Sequence, residues 1–181
     1  TNDGGWSPRI TDGGIAAGNV NVSDVEISGQ GQAIDIDNGG TLAITLESIA
    51  STGTDTVNGG VIDLTGVSGS FTVSGTTSIA GSPGQSPIDI AGNTNLAVDF
   101  QGQTTLDTTI ATTAVTLAGN GGTSSVAFDG LTITTFAGIG LQSSGGGELT
   151  ITGDNNSILS GGAAGGGLFL LPTVQVGSNG I

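Results

Sequence analysis

Three aspartates recur at one place in a repeated pattern and are the chain's best candidates for special chemistry. The pattern is a small residue followed by apolar-x-apolar. It reads Ala33-Ile34-Asp35-Ile36, Val61-Ile62-Asp63-Leu64 and Pro87-Ile88-Asp89-Ile90. In a strand whose flanking apolar residues point inward, Asp35, Asp63 and Asp89 point outward. Stacked one above another at ~4.8 Å, like charges repel by about 1 kcal/mol in water, and more where the effective dielectric is lower. Two things relieve this: Ca²⁺, which takes oxygen ligands, or a proton on the middle residue. The ladder is therefore a candidate Ca²⁺ site, against the plainer reading of a solvated acidic face. The Gly-Gly-x-Gly-x-Asp nonapeptide of calcium-binding repeats is absent from the sequence. Other aspartates (Asp12, Asp37, Asp55, Asp154) fall in turn-like stretches, where Asx turns account for them.

Paired carboxylates also suit glycoside hydrolysis, whose inverting form needs them ~6.5–9.5 Å apart, a distance that alternate levels of a stack supply. A polysaccharide-processing enzyme is accordingly one alternative reading. Against it, the sole cation is Arg9, the only Trp is Trp6, there is no Tyr, and the five Phe fall mostly in apolar slots. No catalytic or cofactor-binding residue is assigned. A second alternative is ice binding by flat T-x-T arrays, with Thr132-Ile133-Thr134 and Thr150-Ile151-Thr152 as the matching segments. Around Ile79 and Leu106 the slots hold Ser78, Ala80, Thr105 and Asp107, so the array is irregular. Threonine as a β-branched surface residue suffices.

What elements would position such a ladder? The 181 residues include 36 glycines, one Lys or Arg, no His, no Cys and no Met. Charged residues make up 9%, where an ordinary globular domain has roughly 25%. The usual material of helix surfaces is missing, and Gly, Thr, Ser, Val, Ile, Leu, Asn and Asp remain, which build strands and turns. A net charge of −14 argues against nucleic acid and against charge-driven adhesion to anionic lipid. No stretch approaches the ~20 apolar residues of a membrane-spanning helix. The absence of an initiator Met and a signal peptide suggests a processed or excised segment.

The apolar pattern continues as Ala114-Val115-Thr116-Leu117, Gly138-Ile139-Gly140-Leu141 and Gly167-Leu168-Phe169-Leu170. From Ile34 the steps to Ile62, Ile88, Val115, Ile139 and Leu168 are 28, 26, 27, 24 and 29 residues. On this alignment the aspartate slot passes to Thr116, Gly140 and Phe169, and the ladder ends after three levels. A second alternating segment follows each motif: Val20/Val22, Leu42/Ile44, Phe71/Val73, Leu96/Val98, Val126/Phe128, Leu149/Ile151 and Val174/Val176. A third anchor follows that: Ile27, Ile49, Ile79, Leu106, Ile133, Ile158 and Ile181. Each strand has too few inward residues for a free-standing hairpin. Stacked triangular coils of three short strands give one continuous core. The expected fold is all-β, a right-handed parallel β-solenoid of about seven three-strand coils, handed by the crossover preference of parallel strands. Residues 15–181 form it, after a lead-in or end plug over 1–14. A β-sandwich is the rival, but its strands should show no three-part period.

The segments GQAIDI, GGVIDLTGVSGSFTVSGTTSI, GELTITGDNNSIL and VQVGSNGI resemble the strand repeats of bacterial surface β-helices. Autotransporter passenger domains and filamentous-haemagglutinin-like adhesins are of this kind. The resemblance implies an exported, extracellular or cell-surface protein, often a slice of a longer array, and the missing catalytic constellation points to a structural role without enzymatic activity. The resemblance gives no ligand; a cell-surface glycan or protein receptor is the partner class that an adhesin would take, although no insertion in the sequence is long enough to be a recognition loop. The final segment completes a coil without a polar cap. Bare terminal coils expose core and unpaired backbone, so the chain is expected to stack end to end or to continue in a longer array. Trp6, Val174, Val176 and Ile181 are the candidate self-association residues. Trp6, with Pro8, suits either an end plug or docking on a neighbour. Asn21-Val22-Ser23 and Asn155-Asn156-Ser157 match the glycosylation sequon.

Overall fold

The computed structural model describes residues 10–11, 18–52, 60–82, 84–109, 112–161, 165–170 and 175–176, and every regular element in them is a β-strand. One strand per coil forms the first face: β1 (Ile10–Thr11), β3 (Ile34–Ile36), β5 (Ile62–Thr65), β8 (Ile88–Ala91), β11 (Val115–Ala118), β14 (Ile139–Ser144) and β17 (Gly166–Leu170). A second face comprises β6 (Val67–Val73), β9 (Leu96–Phe100), β12 (Ser125–Asp129), β15 (Glu148–Thr152) and β18 (Gln175–Val176). A third comprises β7 (Thr77–Gly81), β10 (Thr104–Thr108), β13 (Leu131–Thr135) and β16 (Ser157–Ser160). Two long strands, β2 (Asn19–Gly29) and β4 (Gly40–Ser51), run through the second and third faces without a break. Because β4 pairs with both β6 and β7, these two faces form a single 11-stranded sheet.

Every pairing is parallel and links one coil to the next. The fold is the expected parallel β-solenoid. About five coils are complete, rather than seven, with strands of further coils at both ends.

The register corrects the sequence alignment in three places. On the first face Val115 pairs with Leu141 and Leu141 with Leu168, while Ile139 lies opposite Gly166. The intervals from Ile34 thereby become 28, 26, 27, 26 and 27 residues, more even than the expected set. On the second face one inward column is Ile44, Phe71, Val98, Val126 and Leu149, and the next is Leu46, Val73, Phe100, Phe128 and Ile151. On the third, Ile49 pairs with Thr77, and the column of Ile79, Leu106, Ile133 and Ile158 begins one step further on. All three are two-residue slips. Such a slip keeps every side chain on its own side of the sheet, so alternation alone cannot detect it.

These columns form one continuous core in which Phe71, Phe100 and Phe128 are the largest fully buried side chains. Phe100 stacks on Phe128 at 4.9 Å between ring centroids, and Phe71 meets Phe100 edge-on at 6.2 Å. Both geometries are preferred aromatic arrangements.

The corner after the first face is built from left-handed glycines. Gly39, Gly66, Gly92, Gly119 and Gly145 all have φ between 63° and 88°, a region that costs L-residues strain. The residues that follow Gly92 and Gly119 are Asn93 and Asn120, both buried. Asn93 Nδ2 donates to Leu64 O at 2.9 Å and to Asn120 Oδ1 at 3.0 Å, and its Oδ1 accepts from Val67 N at 2.8 Å. Asn120 Nδ2 donates in turn to Ile90 O at 2.8 Å. At the next coil the position is Gly146, and the ladder ends.

Candidate functional site

The first face aligns the aspartates as expected. Asp35 is the Cα partner of Asp63, and Asp63 of Asp89, so the three carboxylates rise in one outward column. Thr11 begins the column, and its Oγ1 donates to Asp35 Oδ2 at 3.5 Å. Above Asp89 the slot holds Thr116, then Gln142, then Phe169. Gln142 replaces the expected Gly140 because of the two-residue slip.

The three carboxylates are half-buried, between full exposure and the core. Burial is the main force that pushes Asp63 up from its ordinary 3.8 to about 6. Thr65 Oγ1 donates to Asp63 Oδ1 at 3.0 Å and opposes the rise, while the negative charges of Asp89, Asp37 and Asp35 add to it. Burial also raises Asp89. Its Oδ1 is buried and accepts no hydrogen bond. The middle member of the ladder is thus driven towards its protonated form together with Asp89, one of the two reliefs that the repulsion argument allows. The other relief was Ca²⁺ at Asp35, Asp63 and Asp89. Among the described residues, no three acidic side chains are grouped so that they could hold a metal ion.

The structure separates the two threonine segments that suggested ice binding. Thr132 and Thr134 lie on β13 of the third face, and Thr150 and Thr152 on β15 of the second. Along β13's own column, Thr134 is flanked by Asp107 and Leu159, which breaks a T-x-T lattice.

Of the residues expected to mediate self-association, Val176 lies in β18 opposite Leu149. Trp6, Val174 and Ile181 lie outside the described residues, as do Ile15, Asp12 and Asp55. Among the described residues of the later coils, four large apolar side chains are exposed: Phe136 at 69%, Leu159 at 61%, Phe169 at 47% and Leu168 at 40%. Leu168 continues the column of Leu141, which is fully buried. Of the two sequons, Asn155 stands in an exposed turn with φ 66°, and Asn21 lies within β2.

Sequence reasoning missed the buried polar columns. Asn93 and Asn120 stand beside glycines, a composition that suits turns, and nothing in the sequence singles out Thr77, Thr104, Thr108 or Thr135. All six are buried. Thr77 stacks under Thr104 and Thr108 under Thr135, and the Oγ1 atoms of Thr77, Thr104 and Thr108 have no hydrogen-bond partner. One signal was present in the sequence. Each pair recurs at 27 residues, which is also one of the coil intervals.

Fold and site together define a parallel β-solenoid with an acidic ladder on its first face. No protein-family model, curated protein or solved structure matches the chain.

Proposed function

We propose that this protein is a non-enzymatic structural β-solenoid of the extracellular surface. It would serve as a rigid fibre, stalk or adhesin segment in the manner of autotransporter passengers and filamentous-haemagglutinin-like proteins. The observation that carries this reading is the continuity of its columns. Coils of nearly constant length repeat the same strand directions and inward slots, so each coil is a template for another. At the last first-face strand the apolar column emerges as exposed Leu168, where a further coil or another copy would cover it. A contact between unlike ends does not close on itself and builds an open fibre. The acidic exterior, with a net charge of −14, favours solubility and opposes lateral clumping.

Electron microscopy and sedimentation of the native material test this. Rods much longer than the roughly 30 Å spanned by the seven stacked strands of the first face support the reading. Dispersed single particles of 17.3 kDa would remove the end-to-end form of it.

A further inference from the structure

Four Asn-Gly pairs occur in the sequence: Asn38-Gly39, Asn58-Gly59, Asn120-Gly121 and Asn179-Gly180. The second and fourth lie outside the described residues. The other two sit in contrasting surroundings. Asn-Gly is the dipeptide most open to intramolecular attack on its carboxamide, because glycine has no side chain to shield its nitrogen. Whether attack occurs then depends on how the fold holds the two reacting groups.

At Asn120-Gly121 both groups are tied down. Asn120 is 3% exposed. Its Oδ1 accepts from Asn93 N at 3.2 Å and from Asn93 Nδ2 at 3.0 Å, and its Nδ2 donates to Ile90 O at 2.8 Å. The attacking nitrogen is engaged as well, since Gly121 N donates to Asn93 O at 2.8 Å. Cyclisation there requires breaking four bonds between coils.

Asn38-Gly39 is held differently: Asn38 Nδ2 donates to Oδ1 of its chain neighbour Asp37. Asn38 is exposed, and neither residue belongs to a strand. The corner is also longer than its counterparts. Asp37 and Asn38 separate Ile36 from the left-handed Gly39, whereas Thr65 alone separates Leu64 from Gly66, and Ala91 alone separates Ile90 from Gly92. The corner thus carries one residue more than its counterparts in the later coils.

We propose that Asn38-Gly39 is a site of spontaneous modification, deamidating in the folded protein, while Asn120-Gly121 is protected by the asparagine ladder. The Gly39 nitrogen attacks Asn38 Cγ and gives up its proton. The bond from Cγ to Nδ2 breaks, and ammonia leaves with that proton, closing a five-membered succinimide. Water then opens the ring at either carbonyl, giving aspartate or isoaspartate at position 38. No oxidant or cofactor is needed. The product places a further carboxylate beside Asp37, whose charge already acts on Asp63. The acidic ladder would therefore gain charge as the protein ages.

The test is peptide mapping of folded protein incubated in mildly alkaline buffer at body temperature. Trypsin is of little use with a single Lys or Arg in the chain. A Glu-specific protease releases residues 27–47, in which Asn38 is the sole asparagine. Expected is progressive conversion of that peptide to its acid form with isoaspartate, and its loss in Asn38→Gln. Asn120 falls in the peptide of residues 48–148, which also holds Asn58-Gly59, so fragment-ion mapping reads it separately. Asn120 stays unconverted until urea unfolds the chain, after which it converts several-fold faster than before. An Asn38 peptide that stays amidated in the folded protein would overturn the proposal. So would an Asn120 that converts as fast as Asn38 without denaturant.

Discussion

Asn93 and Asn120 lie one coil apart inside the solenoid and share a hydrogen bond of 3.0 Å, Nδ2 of the lower to Oδ1 of the upper. Each also satisfies backbone groups at the corner, Asn93 through Val67 N and Leu64 O, Asn120 through Ile90 O. Leaving a buried polar group unpaired costs about 1–3 kcal/mol. Asn93→Ala and Asn120→Ala are each expected to destabilise by that order in denaturant unfolding. The double variant should lose less than the sum, because both singles break the same shared bond. Strict additivity would show that the shared bond contributes nothing.

Phe100 links the aromatic stack, with one ring on each side of it. Phe100→Ala empties the centre of the core and should cost about 3–5 kcal/mol, as buried aromatic truncations do. Phe136→Ala, at an exposed position, should change the unfolding midpoint little. Thermal unfolding of both variants checks the contrast.

The register of the first face makes a sharper demand. Leu141, not Ile139, occupies the column of Val115 and Leu168. Leu141→Ala should therefore cost about 2–5 kcal/mol, and Ile139→Ala well under that. The reverse order, measured by urea unfolding, would restore the alignment that the bare motif suggests.

That pair shows how far the sequence could be read. The three-part period of apolar anchors revealed parallel stacking, and the in-register aspartates followed from it. The slot of Ile139 was misplaced because Gly138-Ile139-Gly140-Leu141 fits the motif as well as its neighbours do, and a two-residue slip preserves inward and outward sides. Asn93 and Thr77 were opaque for another reason. Polarity predicts exposure for a single residue, whereas stacking in a solenoid lets a polar residue bond to the coils above and below it.

Asp63 should make stability depend on pH in a stated direction. Its folded-state value, about 6, lies above the ordinary 3.8, so between the two the folded protein holds a proton that the unfolded chain has released. Stability then falls as pH rises. The contribution is fully present below 3.8 and is lost as pH passes through about 6. Lower pH also relieves the general repulsion of a highly acidic chain, so the informative quantity is the difference between native protein and Asp63→Asn. The native Tm should fall more steeply than the variant's from about pH 4 to about pH 6.5. Parallel profiles would remove Asp63 from the account. In the same assay calcium and magnesium should act alike, by screening. A calcium-specific rise in Tm that is absent from Asp63→Asn would instead assign the ladder a bound cation.

The proposed assembly can be assigned to an end or to a flank, because the exposed apolar residues occupy different places. Leu168 continues an inward column of the first face, whereas Leu159 lies on β16 beside Thr134 of the third face. A copy stacked on the end covers Leu168; a copy laid against the side covers Leu159. A charge placed at a contact between copies must be desolvated without a partner, which is strongly unfavourable. Leu168→Asp should shorten or abolish rods while Leu159→Asp leaves them intact, each variant being scored by sedimentation and by the length distribution under the electron microscope. Thermal unfolding of each variant guards against a trivial cause, since a chain that has lost its fold loses both contacts. If Leu159→Asp is the one that disperses the rods, the copies pack side by side. The exposed column at Leu168 would then require a further coil of its own chain to cover it.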